Sequence, residues 1–111
     1  MLIMIWKVEP LDAIVAEEIE ALPKDMKARL ERVAQLISLY GLENIREPHV
    51  KHIEGQLWEI RIKGKDGISR ALYVTATPKR VVILRVFIKK SQKTPRREIE
   101  IAFKRAQEID R

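Results

Sequence analysis

The sequence contains no cysteine. That excludes a disulfide scaffold, a thiolate zinc site and a cysteine nucleophile together, and it suits a reducing cytoplasm. Histidine is almost as scarce: His49 and His52 are too few for a histidine-rich metal centre. Only four glycines occur, and none builds a phosphate loop of Walker or dinucleotide type. Long apolar runs are missing too. Charges interrupt every stretch well before the ~20 residues a membrane span needs. The apolar start, Met1 to Trp6, is too short and wrongly flanked for a signal peptide. Aromatic residues make up 5%, and Trp6 and Trp58 read as core residues rather than platforms for nucleobases. No serine or threonine stands in a triad context. Neither a metal nor a cofactor is expected.

What is present is charge, at 34% of 111 residues, beside 46% apolar residues. The length suits one domain, residues 1–111, with one core. The net charge of +6 is unevenly placed. Residues 1–45 carry five basic and eight acidic side chains, whereas residues 46–97 carry 14 basic and four acidic ones. Those four are Glu47, Glu54, Glu59 and Asp66, too dispersed for a two-metal nuclease. Such a one-sided basic segment points to a polyanion partner, nucleic acid or an acidic protein segment. The plainer alternative is that Lys and Arg only solvate exposed strand faces.

The hydrophobic period assigns the elements. Met1 to Val8 reads as a short strand ending at Pro10. Leu11, Val15, Ile19 and Leu22 recur at helical spacing, and Pro23 breaks that helix. Lys24 to Tyr40 is a second helix, with Met26, Leu30, Val33 and Ile37 on one stripe and Gly41 placed to end it. The pair predicts an antiparallel helical hairpin. Leu42 to Gly55 is irregular. From Leu57 the period is two: Trp58, Ile60 and Ile62 face one way, Glu59, Arg61 and Lys63 the other. Arg70 to Ala76 and Val81 to Ile88 follow as strands across short turns. Thr94 as N-cap, with Pro95 at the first helical position, marks the start of a last helix, with Ile99, Ala102, Phe103 and Ala106 on its buried stripe. The expectation is an α+β fold of order β-α-α-β-β-β-α, a small antiparallel sheet with helices on one face.

The side chains left to carry chemistry are cationic. Arg61, Arg70, Arg85, Lys89 and Lys90 lie on or at the ends of three neighbouring strands, with Tyr73 among them. Alternation sets Arg85 on the face of Ile83, Phe87 and Lys89. A charge inside that apolar run must be paired or face a cleft, and Glu59 is one possible partner. Lys63, Arg85, Lys93 and His52 are candidate RNA-binding residues. His52 qualifies only at the cleft rim, where it would titrate near neutral pH. Arg and Lys without metal ligands suit one reaction, cleavage of RNA by its own 2′-hydroxyl. There cations stabilise the pentacovalent phosphorane and clamp the phosphate. Plain RNA binding fits the same residues. On this reading Arg61→Ala, Arg70→Ala and Lys89→Ala each remove function without unfolding the chain.

Three segments resemble a known family. Gly55-Gln56-Leu57-Trp58-Glu59-Ile60-Arg61 is similar to the G-x-L-[WY]-E-[LI]-R strand of RelE/HigB-like toxins, in their phage-derived branch. Gly67-Ile68-Ser69-Arg70-Ala71-Leu72-Tyr73 resembles the G-x-x-R-x-x-Y strand. Val86 to Pro95 is close to the ending x-F-x-K-K-[ST]-x-K-T-P, and Glu98, Ile99 and Ala102 follow as in the family's last helix. The segments keep their order and spacing. The resemblance implies the toxin of a type II toxin–antitoxin pair, an endoribonuclease that cuts mRNA, commonly on the translating ribosome, in the cytoplasm. It implies a protein antitoxin that wraps the basic surface, expected to carry a helix-turn-helix and an acidic segment, and no membrane partner. Carried onto matching positions, it makes Arg61, Arg70, Tyr73 and Lys89 catalytic candidates, with Lys90 beside them. A related ParE-like branch shares the fold and inhibits gyrase without cutting RNA. That alternative, and a non-catalytic nucleic-acid-binding module, stay open on sequence.

Overall fold

The computed structural model describes residues 5–45, 49–89 and 93–109. The chain opens with strand β1 (Lys7–Pro10), then helices α1 (Ala13–Glu20) and α2 (Lys24–Tyr40). A single 3-10 turn over Leu42–Asn44 leads to strands β2 (Val50–Glu54), β3 (Leu57–Gly64), β4 (Gly67–Ala76) and β5 (Arg80–Lys89), and helix α3 (Arg96–Ala106) ends the fold. The α+β class and the order of the expected elements hold. The earlier part of the first predicted strand, Met1 to Met4, lies outside the described residues.

Local chemistry places the helix ends. Asp12 caps α1, its Oδ1 accepting from the Val15 N–H at 3.0 Å. Pro23 separates the two helices. Gly41, at φ 91°, closes α2 with its N–H donating to the Ile37 carbonyl at 2.9 Å. The predicted stripe of Met26, Leu30, Val33 and Ile37 is buried throughout. The N-terminus of α2 is pinned to the sheet: the Lys65 N–H, in the β3–β4 turn, donates to Asp25 Oδ2 at 2.8 Å.

Three features differ from expectation. First, the supposedly irregular segment before Gly55 contains β2, which pairs antiparallel with β3 at the sheet edge. Its sequence, Val-Lys-His-Ile-Glu, buries only Val50, so no apolar alternation betrays it. Second, the sheet is mixed. Its order is β1-β5-β4-β3-β2, and β1 runs parallel to β5 while every other pair is antiparallel. Third, helices cover both faces. The α1–α2 hairpin packs with Val50, Ile60, Ile62, Ala71, Tyr73 and Ile83, and α3 lays Ile99 and Ala102 on Leu57, Leu72, Val74, Val82 and Leu84 on the other side. Burying both faces explains why β5 is apolar on both between Val81 and Ile88, apart from Arg85.

A bulge decides which side chains meet. Leu72 pairs with Arg85 but Tyr73 pairs with Ile83, which leaves Leu84 as an extra residue in β5. The insertion breaks strict alternation. Ile83 therefore lies on the α1–α2 face, while Arg85 and Phe87 lie on the α3 face, so the expectation that Ile83 and Arg85 share a face is corrected.

Candidate active site

The α3 face carries the cations in register. Arg61 on β3 lies directly opposite Arg70 on β4, and Arg70 opposite Phe87 on β5. The next row is Lys63, Ile68 and Lys89. The row on the other side is Lys51, Glu59, Leu72 and Arg85. Two arginines face to face repel one another unless a carboxylate intervenes. Glu59 fills that role. Its Oε2 lies 3.5 Å from Arg61 Nε and 3.6 Å from Arg70 Nη1.

Thr94 completes the arrangement from the segment ahead of α3. Its hydroxyl donates to Glu59 Oε1 at 2.6 Å and accepts from Arg70 Nη1 at 2.8 Å. Thr94 is therefore not a helix cap, as its position before Pro95 predicted. The first turn of α3 has no side-chain cap, and Pro95 occupies the cap position. Glu59 and Arg70 are each 1% exposed and Thr94 is buried. Burial pulls the Arg70 guanidinium below its ordinary pKa, and the Glu59 charge opposes that pull. The conspicuous Trp-Glu-x-Arg, Arg70 and Thr-Pro positions thus build one interior network, on which Arg61 rests with 24% of its side chain open.

The open cations surround this network. Lys63 is exposed, Lys89 is half-buried and Lys93 is exposed just before Thr94. Lys90 lies outside the described residues. The structure thus gathers Arg61, Lys63, Arg70 and Lys89 on one face, with Lys93 at its margin.

Three candidates do not join that group. Arg85 is on the same face but is committed: Nε donates to Glu98 Oε1 and Nη1 to Glu18 Oε2, both at 2.8 Å. Its partner is not Glu59. Glu18 also takes the Val86 N–H at 3.0 Å and ion-pairs with Arg105, and so ties α1, β5 and α3 together. Tyr73 lies on the opposite face, between Trp58 and Ile83, and is 1% exposed. Burial raises the pKa of its phenol far above the ordinary value, so it stays protonated. His52 is opposite Trp58, their rings edge to face with centroids 5.0 Å apart, and its Nε2 sits 2.7 Å from the Gly55 carbonyl. With Trp6, Val50, Trp58 and Tyr73 it lines a mostly apolar cavity of about 500 Å³ on the face away from Arg61. Trp58, 39% exposed, is thus partly surface rather than core.

Among the described residues no cluster of three or more His, Asp or Glu side chains is placed to hold a metal ion. Among the same residues no helix is long and apolar enough to cross a membrane. A cationic, partly open sheet face backed by a buried carboxylate can bind a phosphodiester and stabilise negative charge that develops on it.

This five-stranded sheet with an N-terminal helical hairpin is the RelE-like fold. It is similar to the structure of the archaeal RelE-RelB complex from Pyrococcus horikoshii OT3, with TM-score 0.59 and 22% identity over 81% of this chain and 100% of that one. It is also similar to a mutant of the E. coli toxin RelE in the free state, with TM-score 0.61 and 14% identity over 90% of this chain and 96% of that one. No curated protein sequence matches the chain. Residues 17–107 match the family of phage-derived Gp49-like proteins (DUF891), and the chain belongs to that family.

Proposed function

We propose that this chain is the toxin of a type II toxin–antitoxin pair and an endoribonuclease that cuts mRNA on the ribosome. The cut is made by the RNA 2′-hydroxyl without a metal. The observation that carries the proposal is the convergence of Arg61, Lys63 and Lys89 on one open face of a RelE-like sheet. Arg61 takes the scissile phosphate, since a guanidinium matches two phosphate oxygens at once. Lys63 and Lys89, with Lys93 at the margin, add positive charge where the phosphorane forms. Arg70 is too buried to reach RNA. Through Glu59 it fixes the orientation of Arg61. Arg85, Tyr73 and His52 serve the fold in this scheme, because their contacts lie within the protein or on the other face.

The same face is where an antitoxin binds. A helix-turn-helix protein with an acidic, amphipathic segment, folding as it docks, neutralises the cations and excludes RNA. The test is induced expression in a host with matching ribosomes, with mRNA 5′ ends mapped globally, alone and beside the neighbouring gene. New internal 5′ ends that vanish with the neighbour are the expected result. Growth arrest without new mRNA ends would instead favour a gyrase-binding toxin. Harmless expression of intact protein would overturn the toxin reading.

A further inference from the structure

We infer that His49 is the proton acceptor of the proposed cleavage, an inference that rests on the ribonuclease reading above. The Arg61 N–H donates to the His49 carbonyl at 2.8 Å, which extends the β2–β3 ladder by one residue. With Val50 opposite Ile60 and Lys51 opposite Glu59, this sets His49 opposite Arg61. Val50 is buried against the helical hairpin. Alternation therefore turns His49 and Lys51 to the α3 face, and both are exposed there. Directly opposed residues bring their Cβ atoms within about 5 Å of each other. An imidazole consequently stands beside the guanidinium proposed to hold the scissile phosphate.

The other charged groups of that face leave the role open for it. Among the described residues they are Lys51 and Glu54 on β2, Glu59, Arg61 and Lys63 on β3, Arg70 on β4, Arg85 and Lys89 on β5, and Lys93, Arg96 and Glu98 at the start of α3. Glu54 is engaged with Arg96. Glu59 is buried and shared between two guanidiniums and Thr94, so it cannot meet substrate. Glu98 is engaged with Arg85. An arginine does not release its proton in a protein. Imidazole alone among these side-chain types has an ordinary pKa, about 6.5, that lets it both accept and release a proton near neutrality.

The step balances simply. A neutral His49 ring nitrogen takes the proton from the 2′-hydroxyl. The 2′-oxygen forms a bond to phosphorus, the bond from phosphorus to the 5′-oxygen breaks, and its electron pair stays on that oxygen. Solvent supplies the proton that makes the 5′-hydroxyl. The products are a 2′,3′-cyclic phosphate and a 5′-hydroxyl end. The two histidines, three residues apart, are thus separated by the strand pleat. His52 faces the apolar cavity and His49 faces the cations.

Single-turnover cleavage of one message, free and on programmed ribosomes, should be followed between pH 5.5 and 8.5. The wild-type rate should rise with pH along one limb and reach a plateau. His49→Gln should cut at least 100-fold more slowly and lack the rising limb. His52→Gln should keep the limb. Added imidazole should restore part of the rate to His49→Ala and none to Arg61→Ala, a readout that a purely structural role would not produce. Thermal melts identify any variant that has lost its fold. A wild-type enzyme that cuts RNA while His49→Gln keeps both rate and limb would overturn this assignment alone. A wild-type chain that cuts neither substrate would overturn the ribonuclease reading and this step with it.

Discussion

Removing Arg70 should cost the protein its stability rather than only its activity. Its side chain is 1% exposed, donates to Thr94 at 2.8 Å and lies 3.6 Å from a Glu59 carboxylate that is itself 1% exposed. Arg70→Ala leaves that carboxylate buried with only the partly open Arg61, 3.5 Å away, as a cation to offset it, and opens a void beside Phe87. Breaking a buried pair by removing one partner costs about 3–5 kcal/mol. A domain of this size holds about 5–15 kcal/mol in total. At about 4–8 °C per kcal/mol for small domains, the melting temperature should fall by at least about 12 °C. Urea denaturation of purified protein measures the loss directly. The double variant Glu59→Leu with Arg70→Met removes both charges at similar volume and should recover much of it. This departs from the expectation drawn from sequence, in which Arg70→Ala removes function without unfolding the chain. An Arg70→Ala protein as stable as wild type would refute the buried-pair argument.

The open cations behave differently. Arg61→Ala and Lys89→Ala should each lower toxicity at least tenfold, on the ~1.4 kcal/mol-per-decade scale, while changing stability by no more than about 1 kcal/mol. Lys79→Ala, in the exposed β4–β5 turn, should leave toxicity unchanged; equal effects at Lys79 and Lys89 would mean that generic charge, not a site, is being read. Glu18→Ala takes a partner from Arg85, Arg105 and the Val86 N–H at once, and should destabilise by about 1–3 kcal/mol with little direct effect on RNA binding, as comparison of urea midpoints and RNA affinity will show. Asp25 is held below its ordinary pKa first by the Lys65 N–H, so its stabilisation is complete above about pH 4 and fades as pH falls through the lower folded value. Asp25→Ala should therefore melt earlier than wild type at neutral pH, and the difference should close as the pH falls below the ordinary carboxylate range; a gap unchanged by acid would contradict the assignment.

Much of this fold was legible because its signals are local. The α2 stripe, Gly41 and the two-residue period of β3 each follow from short-range chemistry, and the structure places them as read. What sequence hid is pairing between distant segments. Strand β2 escaped because an exposed edge strand with one buried residue has no period to detect. The bulge at Leu84 is a property of two strands in register, so simple alternation put Ile83 and Arg85 together. Tyr73 looked like a companion of Arg70 three residues earlier, yet an odd spacing on one strand sends the two to opposite faces. That inference was available from sequence. The role of Thr94 was not: its neighbour Pro95 advertised a helix cap, while its actual partners, Glu59 and Arg70, are 35 and 24 residues away. His49 became a candidate only once β2 placed it across from Arg61.

The central claim is that this sheet face promotes attack by the RNA 2′-hydroxyl, and the ends of the cleaved message report that chemistry directly. RNA from cells expressing the chain should be captured by ligation specific for 2′,3′-cyclic phosphates, alongside capture of 3′-hydroxyl ends. The account predicts upstream fragments ending in a 2′,3′-cyclic phosphate, or the monophosphate from its hydrolysis, paired with 5′-hydroxyl downstream ends and absent from cells expressing Arg61→Ala. Upstream fragments ending in a 3′-hydroxyl, present with the wild-type chain and lost with Arg61→Ala, would show that water rather than the 2′-hydroxyl attacks, and would contradict it.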